Sequence, residues 1–186
     1  MSYLTVAGLD PSLSNFGMVK GLLDLNDGVL HKLNMELAKT APLKGKKKVR
    51  KNSEDLGRAR ILYNAMTAFL KGVDMVFIEI PVGSQTARAM CSYGVCIGII
   101  ASIGIPMIQV TPAEVKIVAT GDKTASKADM IDWATNSYPK ADWLVRKVNG
   151  EPVLTNANEH LADALAAVYA GVRTDEFQQA MKFRTI

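Results

Sequence analysis

Two apolar stretches that each end in an acidic residue constrain the fold more than any other feature of this sequence. The first, LTVAGLD, runs from Leu4 to Asp10, and the second, MVFIEI, runs from Met75 to Ile80 and carries Glu79 near its end. Stretches that are apolar at nearly every position are typical of central strands covered on both faces of a sheet. Because an unpaired buried charge is costly, we expect each acid to have a partner or a metal ion.

The segments around these strands complete an α/β pattern. Apolar segments flanking the turn Asn26–Gly28 predict a hairpin, so the chain opens with three antiparallel strands. Helical spacing and capping signals then predict a helix from an N-cap at Ser53 to Gly72, a strand at 74–80, a helix at 84–104, a strand at 105–110, helices at 111–121, 126–138 and 156–173, and a polar tail. The helix that opens TPAE has the sequence of a capping box.

This order predicts a mixed five-stranded sheet, three antiparallel strands followed by parallel ones, with helices on both faces. It is the order of the ribonuclease H-like fold, although other α/β folds share it. We expect a single domain over residues 1–186, with a basic loop at about 41–53 and a polar C-terminal tail at about 174–186.

Composition is that of a globular protein, with 48% hydrophobic and 22% charged residues. No apolar stretch reaches the roughly 18 residues that would predict a membrane span, and the N-terminus lacks the features of a signal peptide. The two cysteines, Cys91 and Cys96, do not have metal or redox spacing and are interpreted as reduced residues of a helix or the core. We therefore expect a cytoplasmic protein without a membrane partner.

Positive charge is concentrated in KGKKKVRKNSEDLGRAR, residues 44–60. This stretch has eight basic and two acidic residues, a net charge of +6 against +4 for the whole chain. Such a patch favours binding to a polyanion such as nucleic acid. The alternative, a solvated loop whose lysines only maintain solubility, is equally compatible with the composition.

The predicted topology makes the two acidic strands neighbours, so Asp10 and Glu79 could lie side by side. Two carboxylates that close repel each other unless a cation lies between them. Taken alone, Glu79 could instead bind the N-terminus of a nearby helix. The matching position of Asp10 favours a metal site.

The last helix offers further ligands in NEHLADALA. His160 and Asp163 lie three residues apart on one helical face that is otherwise rich in alanine. Glu159, four residues before Asp163, is an additional candidate ligand, although it could form a capping pair with Asn156. His160 could alternatively bond to a backbone group at the start of the helix.

Asp10, Glu79, Asp163 and His160 would make an oxygen-rich site with one nitrogen. Such ligands suit Mg²⁺ or Mn²⁺ more than zinc. Two such ions about 4 Å apart can activate water and stabilise the leaving oxygen in phosphodiester hydrolysis.

From Thr5 to Ala170, the chain resembles the RuvC-type Holliday-junction resolvases, ribonuclease H-like endonucleases of DNA recombination and repair. Four segments carry the resemblance: GLDPSLSNFG, FIEIPVG, VTPAEVK with the later TASKADM, and HLADALAAVYA.

The resemblance implies that Asp10, Glu79, His160 and Asp163 hold Mg²⁺ or Mn²⁺, two ions per site. It also implies that Lys116 and Lys127 lie near the scissile phosphate or the junction backbone, and that a homodimer makes paired, symmetric nicks in four-way junctions. Without the family, Lys116 is a basic residue on an amphipathic helix and Lys127 a first-turn lysine. The expected DNA-binding residues are Lys44, Lys46, Lys47, Lys48, Arg50, Lys51, Lys116, Lys123 and Lys127.

The chain departs from the cellular enzymes of this family in two places. Val82 stands where the bacterial pattern has an aromatic residue that stacks on a junction base, so stacking there would be weaker. The segment TAPLKGKKKVRKN is more basic than the family leads us to expect, and it could bind phosphates of a branch arm with strong salt dependence. Compact members occur in bacteriophages, which makes a phage origin an expectation of the resemblance.

Two other functions stay open on sequence grounds. The chain could bind branched nucleic acid without cutting it, or it could be a ribonuclease H-like nuclease acting on structured RNA, because 2′-hydroxyl contacts cannot be inferred from the sequence. The strand and turn of GLDPSLSNFG also resemble half of a sugar-kinase or actin-like ATPase. That fold normally needs a second similar domain, for which 186 residues leave no room.

Overall fold

The computed structural model describes residues 3–42, 50–81 and 83–184. In this part of the chain, the main sheet contains β1 (Tyr3–Asp10), β2 (Asn15–Asp24), β3 (Leu30–Lys39), β4 (Met75–Glu79) and β5 (Met107–Val110). The spatial order is β3-β2-β1-β4-β5. β1, β2 and β3 pair antiparallel, whereas β4 pairs parallel with both β1 and β5. The predicted mixed five-stranded sheet is confirmed, whereas the single domain over 1–186 stays a prediction.

Helices cover both faces of the sheet. The helices are α1 (Lys51–Phe69), α2 (Ala87–Ile100), α3 (Pro112–Thr120), α4 (Lys127–Ser137), α5 (Asn158–Gly171) and α6 (Asp175–Arg184). Leu9 and Ile78 belong to the core with Leu62 of α1 and Cys96 of α2. The other face of the strands packs on α3, α4 and α5 in a second core, which includes Phe77 of β4. Two buried layers therefore enclose β1 and β4, which explains their nearly continuous apolar sequences.

Helix α5 lies unusually close to β1 and β2. A Cβ atom on Gly8 would lie 1.9 Å from the Ala164 carbonyl oxygen, and one on Gly17 would lie 2.0 Å from that of His160. Only glycine fits at such separations, and the buried alanines of α5 allow the same approach from the helix side. This packing fixes the N-terminal half of α5 over the C-terminal end of β1.

The helix starts agree with the predictions in one case and differ in another. At α3 the capping box is formed, with the Thr111 hydroxyl accepting from the Glu114 N–H and the Glu114 carboxylate accepting from the Thr111 N–H. The predicted N-cap at Ser53 is wrong. Helix α1 begins at Lys51, because the Arg50 carbonyl already accepts from the N–H groups of Ser53 and Glu54. An ion pair in the same turn joins Lys51 Nζ to Glu54 at 2.8 Å. The predicted loop at 41–53 therefore ends earlier.

Two elements were not predicted from the sequence. The first is a separate hairpin of β6 (Val145–Val148) and β7 (Glu151–Leu154), joined at Asn149 and Gly150, whose φ angles of 52° and 89° suit a type I′ turn. The second is α6, which corrects the predicted polar tail. Its Phe177 is buried against Phe77 with ring centroids 5.5 Å apart, and its backbone N–H donates to the Thr174 hydroxyl.

Both cysteines lie in α2, as the sequence predicted. Cys91 is exposed and Cys96 is buried, and both are free. Within residues 3–42, 50–81 and 83–184, no helix is both long enough and apolar enough to cross a membrane.

Candidate active site

The two acidic strands end side by side. Leu9 of β1 pairs with Ile78 of β4 in parallel register, so Asp10 and Glu79 occupy equivalent positions on strands about 4.8 Å apart. Two residues before each acid, Gly8 contacts α5 and Phe77 shares the core of α5. Because side chains two residues apart share a face, both carboxylates are directed to the α5 side of the sheet.

Helix α5 brings His160 to Asp10. The His160 Nδ1 atom lies 2.6 Å from Asp10 Oδ2, and both side chains are largely buried. The sequence left open whether His160 bonds to a backbone group at the start of the helix; the structure shows a bond to Asp10 instead. The carboxylate of Asp10 is thus held between the strand that carries it and the first turns of α5.

Burial and mutual repulsion raise the pKa values of all three predicted acids. The pKa of Glu79 rises to about 8, first because the side chain is buried and then because of the charges of Asp10 and Asp163, with Lys116 opposing. The pKa of Asp163 rises to about 7 through burial and the charge of Asp10, while His160 opposes. Burial also raises the pKa of Asp10, although its bond to His160 opposes the shift. The ionised forms of the three acids are therefore only partly compensated by the nearby cations.

The pKa of His160 is raised, which favours the protonated form of the ring. Burial lowers its pKa, but the hydrogen bond and the charge of Asp10 outweigh burial, and the charges of Glu159 and Asp163 act in the same direction. The second ring nitrogen, Nε2, lies 3.4 Å from Glu159 Oε1. The ring therefore stands between two carboxylates.

An ion pair with Glu159 holds Lys127 at the margin of the site. Lys127 Nζ lies 2.9 Å from Oε1 and 2.8 Å from Oε2 of Glu159, and this bond raises the pKa of Lys127. The lysine side chain is 79% exposed and that of Glu159 only 14%. The alternative capping pair of Glu159 with Asn156 is wrong, because α5 begins at Asn158 with Ala157 at its N-cap.

The remaining predicted residues are less closely gathered. Lys116 in α3 acts electrostatically on both Glu79 and Asp163, so it lies on the same side of the sheet as the acids. Lys123 and Arg50 are exposed, and Lys51 pairs with Glu54. Lys44, Lys46, Lys47, Lys48 and Val82 lie outside the described residues.

A comparison with curated proteins gives a relative over nearly the whole chain. The chain is 26% identical over 174 residues to the crossover junction endodeoxyribonuclease RuvC of Carboxydothermus hydrogenoformans, covering 90% of this chain and 95% of that protein. The chain is related to the RuvC-type resolvases. No protein-family model matches it.

Solved structures of RuvC share the fold. Thermus thermophilus RuvC in complex with Holliday junction substrate superposes with a TM-score of 0.60 at 20% identity, covering 96% of each chain. A second structure of Thermus thermophilus RuvC gives a TM-score of 0.59 at 20% identity, covering 96% of this chain and 97% of that one. The ribonuclease H-like fold predicted from the order of elements is confirmed.

Another acidic group lies at the opposite end of the five-stranded sheet. Among the described residues, Asp24, Asp27 and His31 place one ligand atom each within 4.8 Å of one another and could hold a metal ion. Asp24 pairs with Tyr3, at the other end of β1 from Asp10. The Asp24 carboxylate accepts from the backbone N–H and the side-chain amide of Asn26, and these bonds lower its pKa. These contacts are typical of turn chemistry.

A buried ionic network that sequence reasoning missed supports the turn after Asp10. Arg58 donates to the Leu13 carbonyl at 3.1 Å, to Ser14 Oγ at 2.9 Å and to Thr40 Oγ1 at 2.9 Å. Asp55, also buried, accepts from both terminal nitrogens of Arg88. The sequence signal was the i, i+3 spacing of Asp55 and Arg58, which had been counted only as part of the basic stretch.

Proposed function

We propose that the chain is a metal-dependent, structure-selective endonuclease that cuts four-way junctions and other branched DNA. The observation that carries the proposal is the convergence of buried acids at the end of β1 and β4, beneath the first turns of α5. The name of the Carboxydothermus relative and the junction bound to Thermus thermophilus RuvC support the same substrate class.

Asp10, Glu79, Asp163 and His160 are the proposed ligands of Mg²⁺ or Mn²⁺, with two ions per site. The donor set fits such ions, because carboxylates whose pKa values are raised by burial and by neighbouring carboxylates gain most from a nearby divalent cation. When bound, the ions would activate water and stabilise the leaving oxygen of a phosphodiester.

The chain's own cations have a separate role in the proposal. Lys116 lies close enough to Glu79 and Asp163 to oppose their raised pKa values, so it can bind a phosphate presented to the acids. Lys127 projects into solvent from the margin of the site, with Glu159 holding its ammonium group. Lys44, Lys46, Lys47, Lys48, Arg50, Lys51 and Lys123 are proposed to bind the DNA backbone further out.

A homodimer would place two such sites for paired, symmetric nicks. The surface that supports a dimer is the outer side of α2, where Met90, Gly94, Ile97 and Gly98 are exposed at helical spacing. We expect Ile97→Asp to convert a dimer into a monomer in light scattering. Ile117→Asp, on the equally exposed α3 surface across the sheet, should leave the mass unchanged.

The first experiment is cleavage of a labelled synthetic four-way junction beside the matching linear duplex, with Mg²⁺, with Mn²⁺ and with a chelator. Wild type and Asp27→Asn should make paired nicks in the junction alone and only with metal, whereas Asp10→Asn should make none. Tight junction binding without cutting under any metal would favour the branch-binding alternative, and structured RNA would be tested next. Action in the cytoplasm and a phage origin stay predictions.

A further inference from the structure

The hairpin of β6 and β7 has an exposed surface that the proposed active site does not use. All its strand residues are exposed, including Val145 at 59% and Leu154 at 39%, which pair directly across the two strands. An isolated two-stranded hairpin is only marginally stable in water. Its order therefore has to come from the place where it joins the rest of the protein.

That joint is made by Asn158 at the start of α5. Its fully buried side chain donates to the Leu144 carbonyl at 2.9 Å and accepts from the Leu144 N–H at 2.8 Å. The Thr155 N–H donates to the same carbonyl at 2.9 Å. Asn158 lies two residues before His160, which contacts Asp10. The hairpin is therefore anchored to the helix end that carries the proposed catalytic residues.

The two faces of the hairpin differ in charge. Side chains alternate along a strand, so one face, here called the lysine face, presents Val145, Lys147, Pro152 and Leu154. These four residues include a base and no acid. The opposite face presents Arg146, Val148, Glu151 and Val153, and the pairing of Arg146 with Val153 and of Val148 with Glu151 makes Arg146 and Glu151 diagonal neighbours.

We propose that the lysine face is a DNA-contacting surface that binds next to the branch point. This inference rests on the proposed function and adds an element of substrate recognition to it. Lys147 would bind a backbone phosphate, and the apolar pair Val145–Leu154 would contact sugars and base faces that a branch leaves unstacked. A linear duplex offers phosphates but few unstacked bases, so the apolar pair would favour branched DNA.

Neighbouring residues on opposite faces provide a matched test of the charge. Lys147→Ala and Arg146→Ala would be compared in an Asp10→Asn background with Mg²⁺, measuring four-way junction affinity across a salt series. Lys147→Ala should weaken binding about fivefold and reduce the salt slope by roughly 0.9, as expected for one lost phosphate contact. Arg146→Ala should leave the slope unchanged. Equal effects of the two substitutions, or none from Lys147→Ala, would overturn the proposal.

A second pair tests the apolar contact. Val145→Ser should weaken junction binding more than duplex binding, whereas Val153→Ser on the opposite face should change neither. Equal losses for junction and duplex would overturn this part of the proposal. A change of mass in light scattering for Val145→Ser would make the lysine face a subunit contact, which would also overturn it.

The cutting assay separates this inference from the proposed function. If wild type cuts junctions while Lys147→Ala binds them as well as Arg146→Ala does, the lysine face is not a DNA contact and the endonuclease stands. If wild type neither binds nor cuts junctions, both proposals fail. Because the substituted positions are exposed, each variant should have the same midpoint of thermal unfolding as wild type. An unchanged midpoint shows that the fold is intact.

Discussion

The two ends of the central sheet hold similar residues in opposite electrostatic states. At the end of β1, Asp10 is bonded to His160, and burial followed by neighbouring negative charge raises the pKa values of Asp10 and Glu79. At the β2–β3 turn, Asp24 lies near Asp27 and His31, but bonds from Asn26 lower its pKa. Both ends thus combine carboxylates with a histidine.

The difference lies in what surrounds the carboxylates. At the turn, the backbone and side-chain N–H groups of Asn26 bond to Asp24, so the ionised form of Asp24 is stable without further help. At the β1–β4 end, burial removes solvent and the neighbours are mostly of like charge. A cluster of acids therefore points to metal chemistry when its ionised forms are poorly compensated, and residue types alone do not distinguish the two ends.

The largest expected effect is on cleavage. Glu79→Gln and Asp163→Asn should each slow junction cutting by about a thousandfold or more, because each removes an anionic ligand from the proposed metal site. Asp24→Asn should stay within about twofold of wild type, since that acid lies at the turn. Cleavage kinetics at saturating Mg²⁺ would test this contrast between the two ends of the sheet. Asp24→Asn cutting as slowly as Glu79→Gln would contradict it.

The second effect is on stability. Gly17→Ala should destabilise the fold by about 3–5 kcal/mol, because its Cβ would meet the His160 carbonyl of α5 at 2.0 Å. Gly28→Ala at the other end has open space around its Cβ and should cost only about 1 kcal/mol, for its positive φ of 72°. Denaturant unfolding of both variants measures the difference. Similar losses would mean that α5 can move away from the sheet.

A smaller change is expected from the cation near the acids. Lys116→Met should lower the rate of junction cutting about 10- to 100-fold, because a positive group that faces Glu79 and Asp163 is removed. Lys140→Met, an exposed lysine beyond α4, serves as the control and should have no effect. Single-turnover rates separate this loss from weaker DNA binding, which would change only the concentration dependence.

The last expected effect is the pH dependence of stability in a chelator. Glu79 titrates near pH 8 in the folded chain and near 4.5 when unfolded, so the folded state binds more protons between these values. The free energy of unfolding should therefore fall as pH rises from about 5 to 8. Glu79→Gln should reduce this slope and leave the part that Asp163 contributes up to about pH 7. Asp24 has the opposite sign: its contribution is present above the unfolded pKa and is lost as pH falls through the lowered folded pKa.

Thermal unfolding of wild type, Glu79→Gln and Asp24→Asn at pH 5 and pH 8 would compare the two ends directly. A wild-type stability that rises toward pH 8 in the chelator would contradict the poorly compensated state of the β1–β4 end. Added Mg²⁺ should reduce the difference in thermal stability between wild type and Glu79→Gln at pH 8. The ion binds the folded wild type through Glu79 in the proposed site, and a ligand that binds the folded state stabilises it.

Local patterns in the sequence were sufficient for the sheet and for the alignment of Asp10 with Glu79. Period-2 strands, turn residues and the capping box at Thr111 act over a few positions, and the topology follows from their order. The hairpin was missed because strands of four residues give little periodicity, although Asn149–Gly150 is a strong turn signal. Helix α6 depends on Phe177 reaching Phe77, which is a contact between distant parts of the chain.

The details of the site depend on such distant contacts as well. The ion pairs Lys127–Glu159 and Asp55–Arg88 join residues 32 and 33 positions apart, and each could form only after the helices had packed. The spacing of His160 and Asp163 showed that they share a helix face. That His160 would bond to Asp10 depended on the close approach of α5 at Gly17.

Arg58 has a consequence for how the basic segment can vary. It binds Leu13 and Ser14 in the turn after Asp10, and it also binds Thr40, where the chain leaves β3. The chain re-enters the described structure at Arg50, directly before the helix that carries Arg58. Arg58 therefore fixes the chain at Thr40, where the intervening stretch begins, and that stretch ends at the start of the helix that carries Arg58. Changes of length or charge between Thr40 and Arg50 should therefore leave the turn after Asp10 in place, because Arg58 holds that turn independently of the stretch.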